Sequence, residues 1–253
     1  MSTLSFSLAA GAFIAAAAAY LGSVMLSRRM ALVAGPLGHL TLPGIALALL
    51  WGLDVSLGAF PFVLLGVVLI WWIEARTRLP MEALTALVFA AGVAIAFLLL
   101  PIEQAETALV GDIMQTRAGE AALSVAVSLM VVLVVRHTYR KLVLTTISEE
   151  LSAAEGIDVR RFNLLYLLLI AVVVALGVKV VGGLLTAALV AVPPAAARNV
   201  AHNLRQYTHG AIAVGVMSAL AGVLLSHLTG LPAGPLIVLV SITFFVISFP
   251  FSR

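Results

Sequence analysis

The stretch HTYRKLVLTTISEELSAAEGIDVRR, residues 137–161, decides the fold, because it is the one long hydrophilic interruption in a chain otherwise made of apolar runs. Within it, Thr146 and Glu149 have the spacing of a capping box, in which a hydroxyl and a carboxylate satisfy unpaired N–H groups where a helix begins. This spacing predicts a short helix that begins near Ile147. Gly156 can adopt the left-handed conformation that commonly ends a helix.

The predicted short helix, residues 147–155, is amphipathic. Ile147, Leu151 and Ala154 recur at i, i+4 and i+7, which places them on one narrow apolar stripe. The other face carries polar side chains, namely Glu149, Glu150, Ser152 and Glu155. Basic residues flank the helix on both sides: Arg136, Arg140, Lys141, Arg160 and Arg161. A helix of this kind between two membrane spans is suited to docking on a protein outside the bilayer, and a solvated loop is the alternative.

The composition indicates a membrane protein. Hydrophobic residues make up 63% of the 253 residues and charged residues only 10%, with a mean hydropathy of +1.19. The apolar runs have roughly the 20 residues that one helix needs to cross a bilayer. We therefore predict an all-α, polytopic transmembrane bundle. The absence of cysteine excludes disulfides and thiolate metal ligands.

Nine apolar runs extend outward from the hydrophilic stretch, near residues 5–26, 31–52, 57–73, 83–101, 119–136, 163–178, 181–197, 209–229 and 233–250. Several are short or broken, so the prediction is eight or nine spans in a single domain over residues 1–253. Lys and Arg concentrate after the first, third, fifth and seventh runs. By the positive-inside rule these loops are cytoplasmic and the N-terminus is outside. The short helix then faces the cytoplasm.

His39 is the one ionisable residue that the pattern places deep in the membrane. It lies eight residues past Ala31, about 12 Å along a helix. The surrounding stretch, residues 35–44, holds two prolines and three glycines, including Pro43 and Gly44, which predicts a broken helix. Broken backbone at this depth occurs where it is buried in protein or lines a cavity. His39 could bind a metal through a ring nitrogen or hydrogen-bond to a freed carbonyl group.

Two further helix breaks are predicted, at Gly182-Gly183 and at Pro193-Pro194. Discontinuous helices are a recurrent way to build a transport site in a membrane. Small residues also let membrane helices approach closely, which is the structural alternative. No phosphate-binding loop of the form G-x-x-x-x-G-K-[ST] occurs. Energy for transport would therefore enter through a separate partner that docks on the cytoplasmic helix.

The chain resembles the permease subunits of the ABC transporters that import zinc, manganese or iron(II) into bacteria. The resemblance covers nearly the whole chain and rests on five stretches in order: 28–50 (RRMALVAGPLGHLTLPGIALALL), 77–92 (TRLPMEALTALVFAAG), 147–169 (ISEELSAAEGIDVRRFNLLYLLL), 179–206 (KVVGGLLTAALVAVPPAAARNVAHNLRQ) and 228–249 (LTGLPAGPLIVLVSITFFVISF).

This resemblance implies a transport subunit of the bacterial cytoplasmic (inner) membrane, not an enzyme. It implies a homodimer in which each permease binds a cytoplasmic ATPase subunit and receives cargo from an external solute-binding protein. ATP would be bound by the partner, with no cofactor in this chain. Residues 147–155 would be the coupling helix, with Glu149, Glu150, Leu151, Glu155 and Gly156 at the ATPase contact. Lipid surrounds the bundle, and no nucleic-acid partner is expected.

One motif departs from the family. In the second span the family reads Gly-Asp-x-x-Ser-His, which puts a carboxylate and an imidazole on one helix face. Here His39 matches the histidine, but Gly35 stands at the aspartate position and Gly38 at the serine position. A bare divalent ion would lose an anionic ligand.

Several readings of function stay open on the sequence. The cargo is either a metal ion coordinated mainly by His39 of both protomers or a metal held by a small chelator. An ion-driven secondary carrier and a scaffold that moves nothing are the alternatives from other classes. The carrier reading lacks the chain of membrane carboxylates that proton coupling needs.

Overall fold

The computed structural model describes residues 3–27, 34–53, 55–77, 79–99, 113–180 and 182–251, and within them every regular element is a helix, without a strand. In chain order the helices are α1 (Thr3–Ser27), α2 (Ala34–His39), α3 (Thr41–Leu50), α4 (Val55–Glu74), α5 (Met81–Leu99), α6 (Ala118–Ile147), α7 (Glu149–Ala154), α8 (Val159–Val180), α9 (Gly183–Val200), α10 (Leu204–Thr229) and α11 (Ala233–Ser248). The all-α prediction is confirmed.

Six helices of the described residues are long and apolar enough to cross a membrane: Thr3–Ser27, Met81–Leu99, Ala118–Thr145, Val159–Val178, Leu204–Thr229 and Ala233–Phe251. The predicted count of eight or nine spans is not supported. Two of the predicted runs form the shorter apolar helical segments Pro36–Leu50 and Gly58–Glu74. At about 1.5 Å per residue, α3 with its 10 residues covers about half of the ~30 Å hydrocarbon layer, whereas α4 as a whole, with 20 residues, is about as long as that layer is thick.

α1 is the central helix of the bundle and packs against α6, α8, α9 and α10. Its buried face is rich in small residues, such as Ala10, Ala15 and Ala18. Small side chains let membrane helices approach closely and gain packing contacts. The largest fully buried side chain, Tyr166 of α8, donates its hydroxyl to the Leu21 carbonyl of α1 at 2.9 Å.

α3 and α4 touch through their backbones at a pair of glycines. A Cβ atom added to Gly44 would collide with the carbonyl group of Gly58, and one added to Gly58 would collide with that of Gly44. Only glycine permits this approach. Pro43 and Gly44 are both buried, so this part of the predicted break serves the packing of α3 on α4.

α6 continues into the hydrophilic stretch. It has 30 residues, and at about 1.5 Å per residue it is ~45 Å long, so about ten residues extend beyond the ~30 Å hydrocarbon layer. Residues 137–147 are therefore helical and belong to α6, whereas the sequence predicted that the helical span ended near 136.

The outer surface of the bundle is apolar. Large hydrophobic side chains are exposed on several helices, for example Leu98 (86%), Leu133 (63%) and Val246 (60%). Exposure of such a surface to water is unfavourable, whereas contact with lipid is favourable. The chain is a multi-pass membrane protein.

Candidate translocation site and cytoplasmic helix

His39 is the last residue of α2 and is half-buried. Its ring meets Phe89 of α5 edge-on, with 5.1 Å between ring centroids and 61° between ring planes. The helix breaks at Leu40 because Pro43 has no N–H to donate to the His39 carbonyl group four residues earlier. The Thr41 hydroxyl donates to the Gly38 carbonyl at 2.6 Å. The interruption covers one residue, Leu40, whose backbone keeps a right-handed helical conformation (φ −64°, ψ −12°).

One copy of the chain offers little coordination at this point. Within the described ranges, no group of three or more His, Cys, Asp or Glu side chains is placed to hold a metal ion. Gly35 and Gly38 contribute no side-chain donor. A neutral imidazole binds zinc and other transition metals through one nitrogen. Further ligands would therefore come from a second copy, from water or from a chelator.

The break at Gly182-Gly183 separates α8 from α9. Gly182 precedes α9 with φ +93° and ψ 154°, a conformation that favours glycine. Its N–H donates to the carbonyl groups of Gly177 at 3.2 Å and Val178 at 3.1 Å. The helix thus restarts at Gly183, as predicted.

The predicted break at Pro193-Pro194 is wrong, because α9 runs through both prolines. Pro194 leaves the carbonyl group of Val190, four residues earlier, without a helical N–H partner. That carbonyl lies against Gly22 of α1, where an added Cβ atom would overlap it. The two prolines are buried, and close packing on α1 stabilises the helix despite them. α2 also packs against α9, so the histidine helix and the proline helix are neighbours.

The predicted short helix exists as α7, but its cap differs from the prediction. Ser148, not Thr146, caps α7, since its hydroxyl accepts from the Leu151 N–H at 3.1 Å. Thr146 lies in the last turn of α6, because α6 extends farther than the apolar pattern predicted. The capping box of Thr146 and Glu149 is therefore wrong.

The end of α7 follows the prediction. Gly156 has φ +71° and its N–H donates to the Ala153 carbonyl at 3.0 Å, while Ile157 N–H donates to the Ser152 carbonyl at 2.9 Å. This pair of bonds is the Schellman motif. Asp158 then accepts from the Arg161 N–H at 3.1 Å and starts α8. Hydrogen-bonded caps at both ends thus define α7.

One residue of the predicted polar face of α7 is buried, and two of the predicted apolar stripe are exposed. Leu151 is 49% exposed, whereas Ser152 is fully buried and donates its hydroxyl to the Ser148 carbonyl at 2.8 Å. Glu150 and Glu155 are exposed. The side chain of Glu149 lies outside the described residues. In a single copy Leu151 and Ala154, the two residues of the predicted apolar stripe that lie in α7, thus face outward.

A cavity of about 260 Å³ lies beside the end of α7, lined by Arg140, Lys141, Leu144, Glu155, Gly156, Ile157 and Phe162. The Lys141 ammonium lies 5.6 Å from the centre of the Phe162 ring. Close by, Arg160 lies 4.7 Å over the Trp71 ring, and the Trp71 indole N–H donates to the Arg160 carbonyl at 3.2 Å. These contacts attach the start of α8 to the end of α4 next to the cytoplasmic helix.

Sequence reasoning missed three residues of these sites. Phe89 sits in an ordinary apolar run, so no pattern pointed to its contact with His39. Ser148 and Asp158 each precede a helix and are standard N-cap residues. Locating them required knowing where α6 ends and α8 begins.

The model of the "ABC 3 transport family" matches residues 1–252. ScaB of Streptococcus parasanguinis, a manganese import system permease protein, is 26% identical over 232 residues, covering 90% of this chain and 83% of the relative. ZnuB of Haemophilus influenzae, a membrane protein of a high-affinity zinc uptake system, is 26% identical over 234 residues, covering 90% of this chain and 89% of the relative.

Two solved structures share the fold. PsaBC from Streptococcus pneumoniae, in complex with a Fab, superposes with a TM-score of 0.84 at 24% identity, covering 98% of this chain and 91% of that one. An inward-facing putative metal-chelate type ABC transporter superposes with a TM-score of 0.77 at 16% identity, covering 97% and 84%. With the family model matched from residue 1 to residue 252 and the permease fold reproduced, the chain belongs to the ABC 3 transport family.

Proposed function

We propose that this chain is the permease subunit of an ATP-driven importer of a divalent transition metal, in the bacterial cytoplasmic membrane. The observation that carries the proposal is the family match over residues 1–252. Relatives named as manganese and zinc permeases, each matched along most of its length, support the choice of cargo.

His39 is the proposed contact with the cargo. The half-buried imidazole stands at a helix break against Phe89, and one nitrogen ligand binds a transition metal weakly. Two copies of the permease facing each other would supply two imidazoles. Conduction needs binding that is favourable enough for entry and weak enough for release. Two neutral imidazoles without a carboxylate meet that requirement.

Gly35 favours a second candidate cargo. A glycine where the family has an aspartate removes the anionic ligand that a bare divalent ion would use. A metal already wrapped by a small chelator needs no such ligand from the protein. Import of a chelated metal is therefore the alternative within the same transport class.

The proposed partners are inferred from the missing phosphate-binding loop and from the exposed surface of α7. It has no phosphate-binding loop, so a separate cytoplasmic subunit would hydrolyse ATP. Leu151 is exposed on α7, where such a subunit could cover it. An external solute-binding protein would deliver the cargo, and a second copy of the chain would complete the pathway.

The test is the zinc, manganese and iron content of metal-limited cells, measured by elemental mass spectrometry. Cells would carry the intact chain, no chain, His39→Ala or the control His227→Ala, in which an exposed histidine of α10 is removed. We expect one metal to fall several-fold in the null strain and in His39→Ala at equal expression, with His227→Ala unchanged.

The other outcomes separate the candidates. Loss of metal in the null strain with normal content in His39→Ala would make His39 structural and favour the chelated cargo. An unchanged metal content in the null strain would refute the metal importer.

A further inference from the structure

α6 and α10 both pack along α1 but make few contacts with each other, so the space between them is a groove with α1 as its floor. At the end of the groove rich in basic residues lies a cavity of about 280 Å³, lined by Tyr20, Tyr139, Leu204, Arg205, Thr208 and His209. None of these residues belongs to the candidate site at His39 or to the cytoplasmic helix α7.

The cavity has a hydrogen-bonded aromatic frame. The rings of Tyr20 and Tyr139 stack with 6.0 Å between centroids and 28° between planes. The Thr208 hydroxyl donates to the Leu204 carbonyl at 2.9 Å. It therefore accepts the Tyr139 hydroxyl, which lies 3.2 Å away. Tyrosines with an apolar ring and a polar tip are typical of the boundary between membrane and water.

The charge around this cavity is positive. Arg205 and Arg136 are exposed, and Arg136 lies one turn before Tyr139 on the same side of α6. The three helices that line the groove offer no compensating carboxylate near it. α1 and α10 contain no Asp or Glu, and α6 has only Glu120, at its opposite end. An anion would therefore be attracted to this end of the groove.

The rest of the groove is apolar. On α6, Leu129 and Val132 share the face of Arg136 and Tyr139 at helical spacing. On α10, Ile212 and Val216 continue the face of His209. On the floor, Phe13 is 37% exposed and lies two turns from Tyr20. From Leu129 to Tyr139 the wall is about 15 Å long, half of the ~30 Å hydrocarbon layer.

The basic end and the apolar walls of the groove together indicate which chemical class of molecule it would bind. A free anion needs the basic end but gains nothing from the apolar walls. An apolar molecule needs the walls but not the arginines. A molecule with an anionic head and hydrocarbon chains about one leaflet long fits both, and phospholipids of the cytoplasmic leaflet have that form.

The groove also lies apart from the proposed cargo pathway. α2, which carries His39, packs against α4, α5, α8 and α9, whereas the groove is formed on α1 by α6 and α10. A second copy that meets this one at His39 would thus leave the groove open to lipid.

We propose that this groove binds an anionic phospholipid of the cytoplasmic leaflet, with the phosphate held by Arg205 and Arg136 and the acyl chains lying along α1. Arginine and phosphate form paired, charge-assisted hydrogen bonds. A bound lipid would fill the gap between α6, which leads to α7, and α10.

The test uses the purified full-length chain in neutral detergent and native mass spectrometry with added phosphatidylglycerol or phosphatidylcholine. Arg205→Gln removes the charge in the groove. Arg140→Gln is the matched control, because Arg140 is an exposed arginine of the same end that lines the other cavity. Arg205→Lys keeps the charge.

We expect phosphatidylglycerol to bind more tightly than phosphatidylcholine. A basic residue near the membrane surface is worth about 1 kcal/mol toward anionic lipid, so Arg205→Gln should weaken phosphatidylglycerol binding about fivefold. Arg140→Gln should leave binding unchanged, and Arg205→Lys should retain most of it. Thermal unfolding of all variants, measured alongside, identifies any that fail to fold. If Arg205→Gln does not fold, lipid binding is compared between Arg205→Lys and the other folded variants.

Three results would overturn the proposal. Equal binding of the two lipids, or equal effects of Arg205→Gln and Arg140→Gln, would show that the groove does not select an anionic head. Displacement of the lipid by millimolar inorganic phosphate would show a site for a free anion. Disulfide cross-linking of two copies through Val216→Cys, in a chain without native cysteine, would show that a second copy covers the groove.

Discussion

At the scale of single residues, Gly22 shows how α1 tolerates two prolines in its neighbour. Pro194 frees the Val190 carbonyl group from the hydrogen-bond ladder of α9, and that carbonyl rests against Gly22. A weakly polar Cα–H contact with a carbonyl is a common feature of close helix pairs. The prolines therefore belong to a packed interface between helices, where the sequence pattern suggested a broken helix.

We predict that Gly22→Ala destabilises the protein. The added Cβ atom would overlap the Val190 carbonyl group, and overpacking of this kind costs about 1–3 kcal/mol. Thermal unfolding of the detergent-solubilised protein should show a lower midpoint. Gly119→Ala is the control, because a Cβ atom there meets nothing within 4 Å, and its midpoint should stay or rise. Equal midpoints for the two variants would contradict the packing argument.

His39 shows what could be predicted at this scale. The helix interruption beside it followed from residue types and spacing, since Pro43 must leave the carbonyl group four residues earlier without a partner. Its contact with Phe89 could not be predicted, because it joins helices far apart in the sequence. The role of His39 in the pathway stays a prediction.

At the scale of elements, α7 is defined by its caps. A six-residue helix is too short to be stable through its own hydrogen bonds. Ser148 at one end and Gly156 at the other satisfy backbone groups that a short helix leaves unpaired. The side chain of Ser152, buried against the rest of the protein, fixes which face turns outward.

We expect Ser148→Ala to loosen α7. The variant loses the bond from the Leu151 N–H to the serine hydroxyl, and an N-cap of this type contributes about 1 kcal/mol. Hydrogen exchange at the α7 amides should then accelerate about fivefold. Asn203→Ala removes the equivalent cap of α10 and should leave α7 unchanged. Unaltered exchange in Ser148→Ala would show that packing alone holds the helix.

Leu151→Asp should abolish stimulation of the partner ATPase. Leu151 is the exposed large apolar side chain of α7, and burying a carboxylate in an apolar contact without a partner is strongly unfavourable. ATP hydrolysis by the reconstituted complex measures the effect. Ala153→Asp adds the same charge on the opposite side of α7 and is the control. If both variants couple normally, α7 is not the contact with the ATPase.

Element boundaries were predicted well where a helix ends with its apolar run, and poorly where the helix continues into polar sequence. The run predicted at 83–101 is α5, Met81–Leu99, and that at 233–250 is α11, Ala233–Ser248. The end of α6 was misplaced by about one-third of its length. Residues 137–141 are polar or charged, and polar composition does not stop a helix.

At the scale of the whole molecule, six helices of the described residues are long and apolar enough to span a membrane, which does not support the eight or nine spans predicted from apolar runs. The run near 31–52 is divided at Leu40, and in the run near 57–73 the apolar segment Gly58–Glu74 is shorter than the six candidate spans. The family, by contrast, was predicted correctly. The family assignment depends on five stretches in a fixed order, and that order is the same whatever number of spans is counted.

The charge pattern predicts that the loop before α10 is cytoplasmic and the loop after it external. The chain has no native cysteine, so single cysteines report orientation without background. His202→Cys and Leu231→Cys place thiols at exposed positions before and after α10. In intact cells a membrane-impermeant maleimide should label Leu231→Cys only. The reverse labelling would invert the topology and place α7 outside the cell.

The length of α6 has a mechanical consequence. No proline interrupts it, and its only glycine, Gly119, lies at its start, so α6 contains no built-in hinge between Glu120 and Ile147. The single residue between α6 and α7 is Ser148, which is extended with φ −156° and ψ 125°. The flexibility between α6 and α7 is therefore concentrated at Ser148. A displacement of α7 that is larger than rotation about Ser148 can absorb must tilt the whole of α6. The movement then reaches the opposite end of α6 because the helix is stiff.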